Sequence, residues 1–318
     1  MSMSDKHAVP NHLKEVIPFK IRRPEKGKRK RGEKGERKEM PYPEWQALTH
    51  PGLYLDKFLF LPREGEAGED LKHRHVENTA KIAGEFRELI GLEDNKEFEQ
   101  FYEAAFTRWR EALAAAGARG FRARTSGKLI VGLGADSVLE TSITLHRTYG
   151  VPYIPGSALK GLASTFGHQL YLRNRSDAWY REFKEGATRR GEAQQLLFGD
   201  EKREGAIIFY DALPLPQKWG LYPDVITPHH PGYYQMEKKP SLPADCDEPR
   251  PVPFLAAGGV FCFFVRLSAT SKASLSEEKQ EALLELATDL LQAALREEGV
   301  GAKSSSGYGR FEAFAPCE

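Results

Sequence analysis

The order of strand-like and helix-like segments between residues 121 and 314 constrains this chain more than any other feature. Strand-like segments are short and apolar, whereas helix-like segments repeat apolar residues at a spacing of about 3.6. The segment at 258–267 contains an unbroken apolar run, which is typical of a strand covered on both faces. In chain order the patterns predict a strand at 121–133, a helix that starts near Ser157, strands at 206–211 and 258–267, a helix at 277–298 and a strand at 309–314.

This βαββαβ order is that of the ferredoxin-like, or RNA-recognition-motif-like, fold, so the predicted fold class is α+β. The first and third strands are usually central in that fold, which agrees with the apolar run at 258–267. A capping box of Ser274 and Glu277 is predicted to open the second helix. We therefore expect residues 121–318 to form one ferredoxin-like domain.

The first 120 residues differ from this domain in composition. Residues 20–38 hold 11 Lys or Arg and 3 Glu, a net charge of +8. The whole chain has a net charge of +1, so the other residues together carry −7. Residues 1–40 are predicted to be a basic, mobile arm, and a solvated tail fits as well as an arm that binds RNA or a subunit. Residues 41–120 are predicted to be a docking segment and helices, in which an aromatic stripe from Phe98 to Trp109 packs into the core. Whether this N-terminal helical addition includes a second small sheet is left open.

Cysteine usage and the lengths of apolar runs indicate the environment. Cys246, Cys262 and Cys317 lack C-x-x-C spacing, which predicts a reducing cytoplasm with neither a disulfide framework nor a zinc ribbon. No apolar run approaches the ~18 residues of a membrane span, and the first ten residues lack the apolar core of a signal peptide. Histidines at ligand spacing and a P-loop are also lacking, so no metal or other cofactor is predicted.

A long insertion separates the second and third predicted strands. Residues 212–257 hold 10 of the 20 prolines, and aromatic residues are interleaved among them. Loops of this length in compact domains are usually functional or disordered, and disordered segments are usually poor in aromatics. Trp219, Tyr233 and Tyr234 are therefore candidates for base stacking or subunit packing, and a loop that packs its own aromatics is the alternative.

Two glycine-bearing turns carry the candidate phosphate contacts. At the first, Ser157 and Lys160 open a helix whose N-terminus favours anions, and His146 and Arg147 precede the turn. At the second, residues 299–311, glycines let the backbone approach a ligand, although a helix C-cap and turn would have the same composition. Its candidate RNA-binding residues are Gly299, Gly301, Lys303, Ser304, Ser305, Gly307 and Gly309.

Four motifs give the chain a family resemblance. YIPGSALKG at 153–161 resembles the IPGSSLKG-type motif of the RAMP family of CRISPR effector subunits. GLGADSVLETSITLH precedes it, LFGDEKREGAIIFYDALP follows, and GVGAKSSSGYGRF lies near the C-terminus, in the order that the family shows. Together they are similar to the sixth-subunit family of Cmr, or type III-B, complexes.

The resemblance implies a ferredoxin-like palm with a thumb hairpin at 212–257. It also implies a non-catalytic subunit that caps the 3′ end of the guide RNA. Its implied partners are guide RNA, target RNA, other Cmr-complex RAMP subunits and the small subunit.

Two alternatives stay open. One is a RAMP endoribonuclease that uses Asp136 or His146, because an Asp after the first strand supports metal-dependent cutting in related backbone subunits. The other is a scaffold that mainly binds protein.

Overall fold

The computed structural model describes residues 96–135, 141–173, 192–229 and 251–317, with Pro249 and shorter pieces within 70–77 and 184–190. All of them belong to the part of the chain that spans residues 49–318. The predicted basic arm and docking segment lie outside the described residues, as do Asp136, Tyr233 and Tyr234. None of the helices in these ranges is long and apolar enough to cross a membrane.

Besides a short 3₁₀ helix at Ser304–Ser306 and helical residues within 70–77, the described part of the chain contains five α-helices and seven strands. In order they are α1 (Lys96–Ala115), β1 (Arg119–Thr125), α2 (Gly156–Arg173), β2 (Lys184–Glu185), β3 (Arg189–Arg190), α3 (Glu192–Phe198), β4 (Ile207–Phe209), β5 (Leu213–Ile226), β6 (Val252–Leu267), α4 (Ala269–Ser274), α5 (Glu277–Glu297) and β7 (Phe311–Pro316).

An antiparallel sheet organises these elements. Its strands follow the order β4-β6-β1-β7, and β5 pairs with β6 alongside this path, whereas β2 and β3 pair separately. All neighbouring strands are antiparallel. The predicted α+β class is therefore confirmed, and the first and third predicted strands, β1 and β6, lie between the other two.

Helices pack on both faces of the sheet. Phe263 of β6 stacks on Phe121 at 5.0 Å between ring centroids, and Phe121 meets Phe314, over which Arg296 of α5 lies. The next residue, Phe264, points to the opposite face and meets Trp109 of α1 edge to face at 5.0 Å. The prediction that the apolar run is covered on both faces is confirmed.

Two predicted boundaries are wrong. β1 ends at Thr125, and Leu129 beyond it forms only an isolated bridge to Ala257. The capping box is wrong because Ser274 ends the short helix α4, and Ser276 is the residue that precedes α5.

The predicted insertion is partly sheet. β5 pairs with residues 252–262 of β6. The two ends of the segment at 212–257 therefore form a two-stranded hairpin, where the sequence predicted a loop. Pro214, Pro216 and Pro223 lie in β5. They are tolerated because β5 pairs on one side only among the described strands, and an edge strand does not need every N–H.

Candidate nucleic-acid interface

The glycine-rich loop, residues 299–309, packs its backbone on the segment that follows β1. Ala302 N–H donates to the Ile130 carbonyl and Gly309 N–H to the Lys128 carbonyl, both at 2.8 Å. A Cβ on Gly301 would collide with the Ile130 carbonyl oxygen, so this close approach requires glycine.

The same loop ends α5, as the C-cap alternative predicts. Gly299 has φ of 81° and donates its N–H to the Ala294 carbonyl. The N–H groups of Val300, Gly307 and Tyr308 also donate within the protein. Among the residues of this loop that were predicted to contact phosphate, Lys303 and Ser305 are exposed and Ser304 is half-buried.

Asp224 of β5 joins the hairpin to the glycine-rich loop. Its Oδ2 accepts hydrogen bonds from the Tyr308 hydroxyl at 2.8 Å and from Lys128 Nζ at 2.9 Å. Partial burial works to raise the pKa of Asp224, but the hydrogen bonds from Lys128, Tyr308 and the Val225 N–H outweigh it and hold the pKa below its ordinary value. The carboxylate is therefore charged at neutral pH and fixes the loop to β5.

Tyr222 lies two residues before Asp224, on the same face of the hairpin. Its ring lies over the paired Gly220 and Gly258, because a Cβ at either glycine would come within 3.1 Å of it. The side chain is 45% exposed. A flat aromatic surface is thus held beside the glycine-rich loop.

Trp219 points to the opposite face and packs in the core, where it is only 5% exposed. It therefore offers no ring face for stacking, in line with the packing alternative. The other two predicted aromatics, Tyr233 and Tyr234, lie outside the described residues.

The first turn is held by a carboxylate that sequence analysis did not single out. α2 begins at Gly156, whose N–H donates to Asp211 Oδ1 at 2.7 Å, so Ser157 lies within the first helical turn. A Cβ on Gly156 would collide with the Phe209 carbonyl oxygen of β4. Ser157 is exposed and Lys160 is half-buried.

His146 stacks on Tyr149 at 4.5 Å, and its Nδ1 accepts a hydrogen bond from the Thr148 N–H at 3.2 Å. Burial lowers the pKa of His146, and the nearby Asp211 carboxylate opposes that shift. The imidazole is therefore neutral at pH 7, and Arg147 beside it is exposed.

Backbone hydrogen bonds connect the two turns. Ile130 accepts from the glycine-rich loop, and the next carbonyl, that of Val131, accepts from Thr144 N–H at 2.8 Å, two residues before His146. Within the described ranges no group of three or more His, Cys, Asp or Glu is placed to hold a metal ion.

Sequence reasoning missed Lys128, Asp224, Tyr308 and Tyr222. The first three act as a set only because the hairpin and the glycine-rich loop meet, which chain order does not show. Gly220 and Gly258 pair with each other and, lacking side chains, leave room for the Tyr222 ring above them. This glycine pair is the signal that could have identified Tyr222.

Comparisons with known proteins agree with the motifs. The family model of the RAMP superfamily matches residues 122–312. CRISPR system Cmr subunit Cmr6 from Pyrococcus furiosus is 32% identical over 231 residues, which are 59% of this chain and 65% of that protein. CRISPR system CMR subunit Cmr6 from Saccharolobus solfataricus is 28% identical over 199 residues, 60% of this chain and 56% of that protein. The chain thus spans less than two thirds of the length of these curated relatives.

Two solved structures are also similar. A cryo-EM structure of the type III-B Cmr-beta bound to cognate target RNA has 21% identity and a TM-score of 0.49, covering 81% of this chain and 79% of that chain. The crystal structure of Cmr6 from Pyrococcus furiosus has 30% identity and a TM-score of 0.37, covering 63% of this chain and 98% of that chain. Since the family model covers more than half of the sequence, the chain belongs to the RAMP superfamily, and it is similar to Cmr6 subunits.

Proposed function

We propose that this protein is a non-catalytic RNA-binding subunit of a type III-B CRISPR ribonucleoprotein. The observation that carries the proposal is the placement of exposed Tyr222 and the glycine-rich loop on one face of the hairpin, joined through Asp224. We assign β4-β6-β1-β7 to a ferredoxin-like palm, which the antiparallel order supports, and the β5–β6 hairpin to the base of a thumb.

Binding is by backbone and shape. Lys303 and the neighbouring hydroxyls contact phosphates, and Ser157, Lys160 and Arg147 do so at the second turn. Tyr222 stacks on a base, an interaction worth roughly 1–3 kcal/mol that tolerates any base. These contacts suit a guide RNA of variable sequence.

The place in the particle is part of the same proposal. The subunit caps the 3′ end of the guide RNA, lies near target RNA and contacts neighbouring RAMP subunits and the small subunit in the cytoplasm. The names of the Cmr6 relatives support membership in a Cmr complex, and the position at the 3′ end is the finer part of the proposal.

The proposal is tested by RNA binding against salt, with the full chain alone and co-assembled with its neighbours. Lys303→Ala is expected to lower the affinity at every guide sequence and to reduce the salt slope by about one. Lys279→Ala, an exposed lysine on α5, is the matched control. Equal slopes for both variants and the wild type would mean that Lys303 is not at the interface.

His146 is the described group that suits a nuclease, because a neutral imidazole can act as a general base. Incubation with repeat RNA and Mg²⁺ tests that alternative. We expect no cleavage, and cleavage that His146→Ala abolishes would replace the non-catalytic assignment.

A further inference from the structure

Cys262 and Cys317, 55 residues apart in the sequence, meet with their sulfur atoms 2.6 Å apart. A disulfide bond is about 2.05 Å long, so the two sulfurs need to approach by only about half an ångström to form one. Cys262 is buried in β6, whereas Cys317 follows β7 and is partly exposed, and both are free thiols. Cys317 is therefore the more exposed residue of the pair, and its sulfur lies against that of the buried Cys262.

Strand β1 supplies the surroundings of the pair. Cys317 donates its N–H to the Gly120 carbonyl at 3.3 Å, and Arg122 lies opposite Cys262 in the β1–β6 register. The hydrogen bond between the two sulfurs lowers the pKa of Cys317, burial opposes this, and Arg110 and Arg122 add to the lowering. Cys317, on the more exposed side of the pair, is thus the cysteine that gives up its proton more readily, as an attacking cysteine requires.

We propose that Cys262 and Cys317 form a redox-active dithiol that two-electron oxidants such as hydrogen peroxide convert to a disulfide. The assignment stands on the contact between the sulfurs and on their unequal exposure, and it is independent of RNA binding.

The reaction has two steps. The Cys317 thiolate attacks one oxygen of hydrogen peroxide, which breaks the O–O bond and gives a sulfenic acid and hydroxide. The Cys262 sulfur then attacks the sulfenic sulfur, the S–O bond breaks, and the hydroxyl leaves as water after taking the thiol proton. The sum is two thiols and one peroxide to one disulfide and two waters, and an external dithiol reverses it by exchange.

The disulfide closes a covalent ring that includes α4, α5 and the glycine-rich loop. It also ties the residue after β7 to β6 across β1. A cross-link of this kind restricts the unfolded chain and stabilises the fold.

The full-length protein is first reduced, then treated with stoichiometric hydrogen peroxide, alkylated in denaturant and digested. We expect a Cys262–Cys317 peptide two hydrogen masses lighter than the reduced pair, and a melting temperature higher by about 5–15 °C that dithiothreitol reverses. Cys246→Ser is expected to behave as wild type, and Cys317→Ser to lose both effects.

Cys317→Ser changes the more exposed cysteine, and Cys262→Ala is a second variant in case the first does not fold. Alkylation of both thiols after peroxide treatment would overturn the proposal. So would a cross-link that involves Cys246, or oxidation that stops at a Cys317 sulfinic acid.

Discussion

The hydroxyl of Tyr308 donates a 2.8 Å hydrogen bond to the carboxylate of Asp224, 84 residues earlier in the chain. This bond attaches the glycine-rich loop to β5, and the Lys128 ammonium reaches the same carboxylate oxygen. Three segments far apart in the sequence are therefore held at one carboxylate: the segment after β1, the end of β5 and the glycine-rich loop before β7.

Tyr308→Phe is expected to lower the free energy of unfolding by about 1–2 kcal/mol, since it removes one hydrogen bond to a charged acceptor. Urea denaturation measures the change. Tyr222→Phe makes the same chemical change on the hairpin that carries Asp224 and is the control. A loss for Tyr222→Phe as large as that for Tyr308→Phe would show that the Asp224 contact is not the cause.

The contribution of Asp224 to stability is expected to depend on pH. Its pKa is lower in the folded than in the unfolded protein, so the unfolded chain binds more protons near the ordinary value of 3.8. The contribution is complete above that value and is lost as the pH falls through the folded pKa. Denaturation at pH 7 and pH 3 should therefore give a large difference between wild type and Asp224→Asn at pH 7 and a smaller one at pH 3. A difference that grows on acidification contradicts the sign.

Tyr222→Ala is expected to weaken guide-RNA binding by the co-assembled particle roughly 5- to 150-fold, which corresponds to one lost stacking contact. Tyr222→Trp should retain affinity because the ring is kept. Val225 is equally exposed on the opposite face of β5, so Val225→Ala is the matched control. Equal affinities for Tyr222→Ala and Val225→Ala would remove Tyr222 from the interface.

Two glycines of one loop should differ in their response to a methyl group. Gly301→Ala places an alanine at a positive φ, and its Cβ collides with the Ile130 carbonyl oxygen. The free energy of unfolding is therefore expected to fall by about 2–4 kcal/mol. Gly307 also has a positive φ, but nothing lies within 4 Å of its Cβ position, so Gly307→Ala should cost only about 1–2 kcal/mol. Thermal unfolding of the two variants side by side gives the comparison.

Local patterns predicted much of the sheet. The apolar run in β6 marked a strand covered on both faces, and the alternation of elements placed β1 and β6 between β4 and β7. Predicted ends were less accurate because serines at 274 and 276 both suit a cap, and only packing decides that α4 is a separate short helix. Local patterns alone did not predict β5, because its prolines argue against a central strand and its edge position cannot be read from one segment, so a hairpin was expected only from the family resemblance.

The candidate site was predicted only in part. The glycines indicated where both turns lie, because the backbone approaches neighbouring carbonyl oxygens so closely there that no residue with a Cβ fits at Gly156 or Gly301. Asp224 and Asp211 were missed because each carboxylate binds a segment distant in the chain. The cysteine spacing likewise gave no sign of a pair, because Cys262 and Cys317 meet only through the placement of β7 beside β1.

The prolines of β5 bear on how this protein can associate with others. A strand that lacks N–H donors at three positions is a poor template for a further strand, so this border of the sheet resists intermolecular β-pairing. Contacts of the hairpin with another molecule are then made through side chains, so the side chains determine which partner binds. The same edge disfavours aggregation of copies through strand pairing.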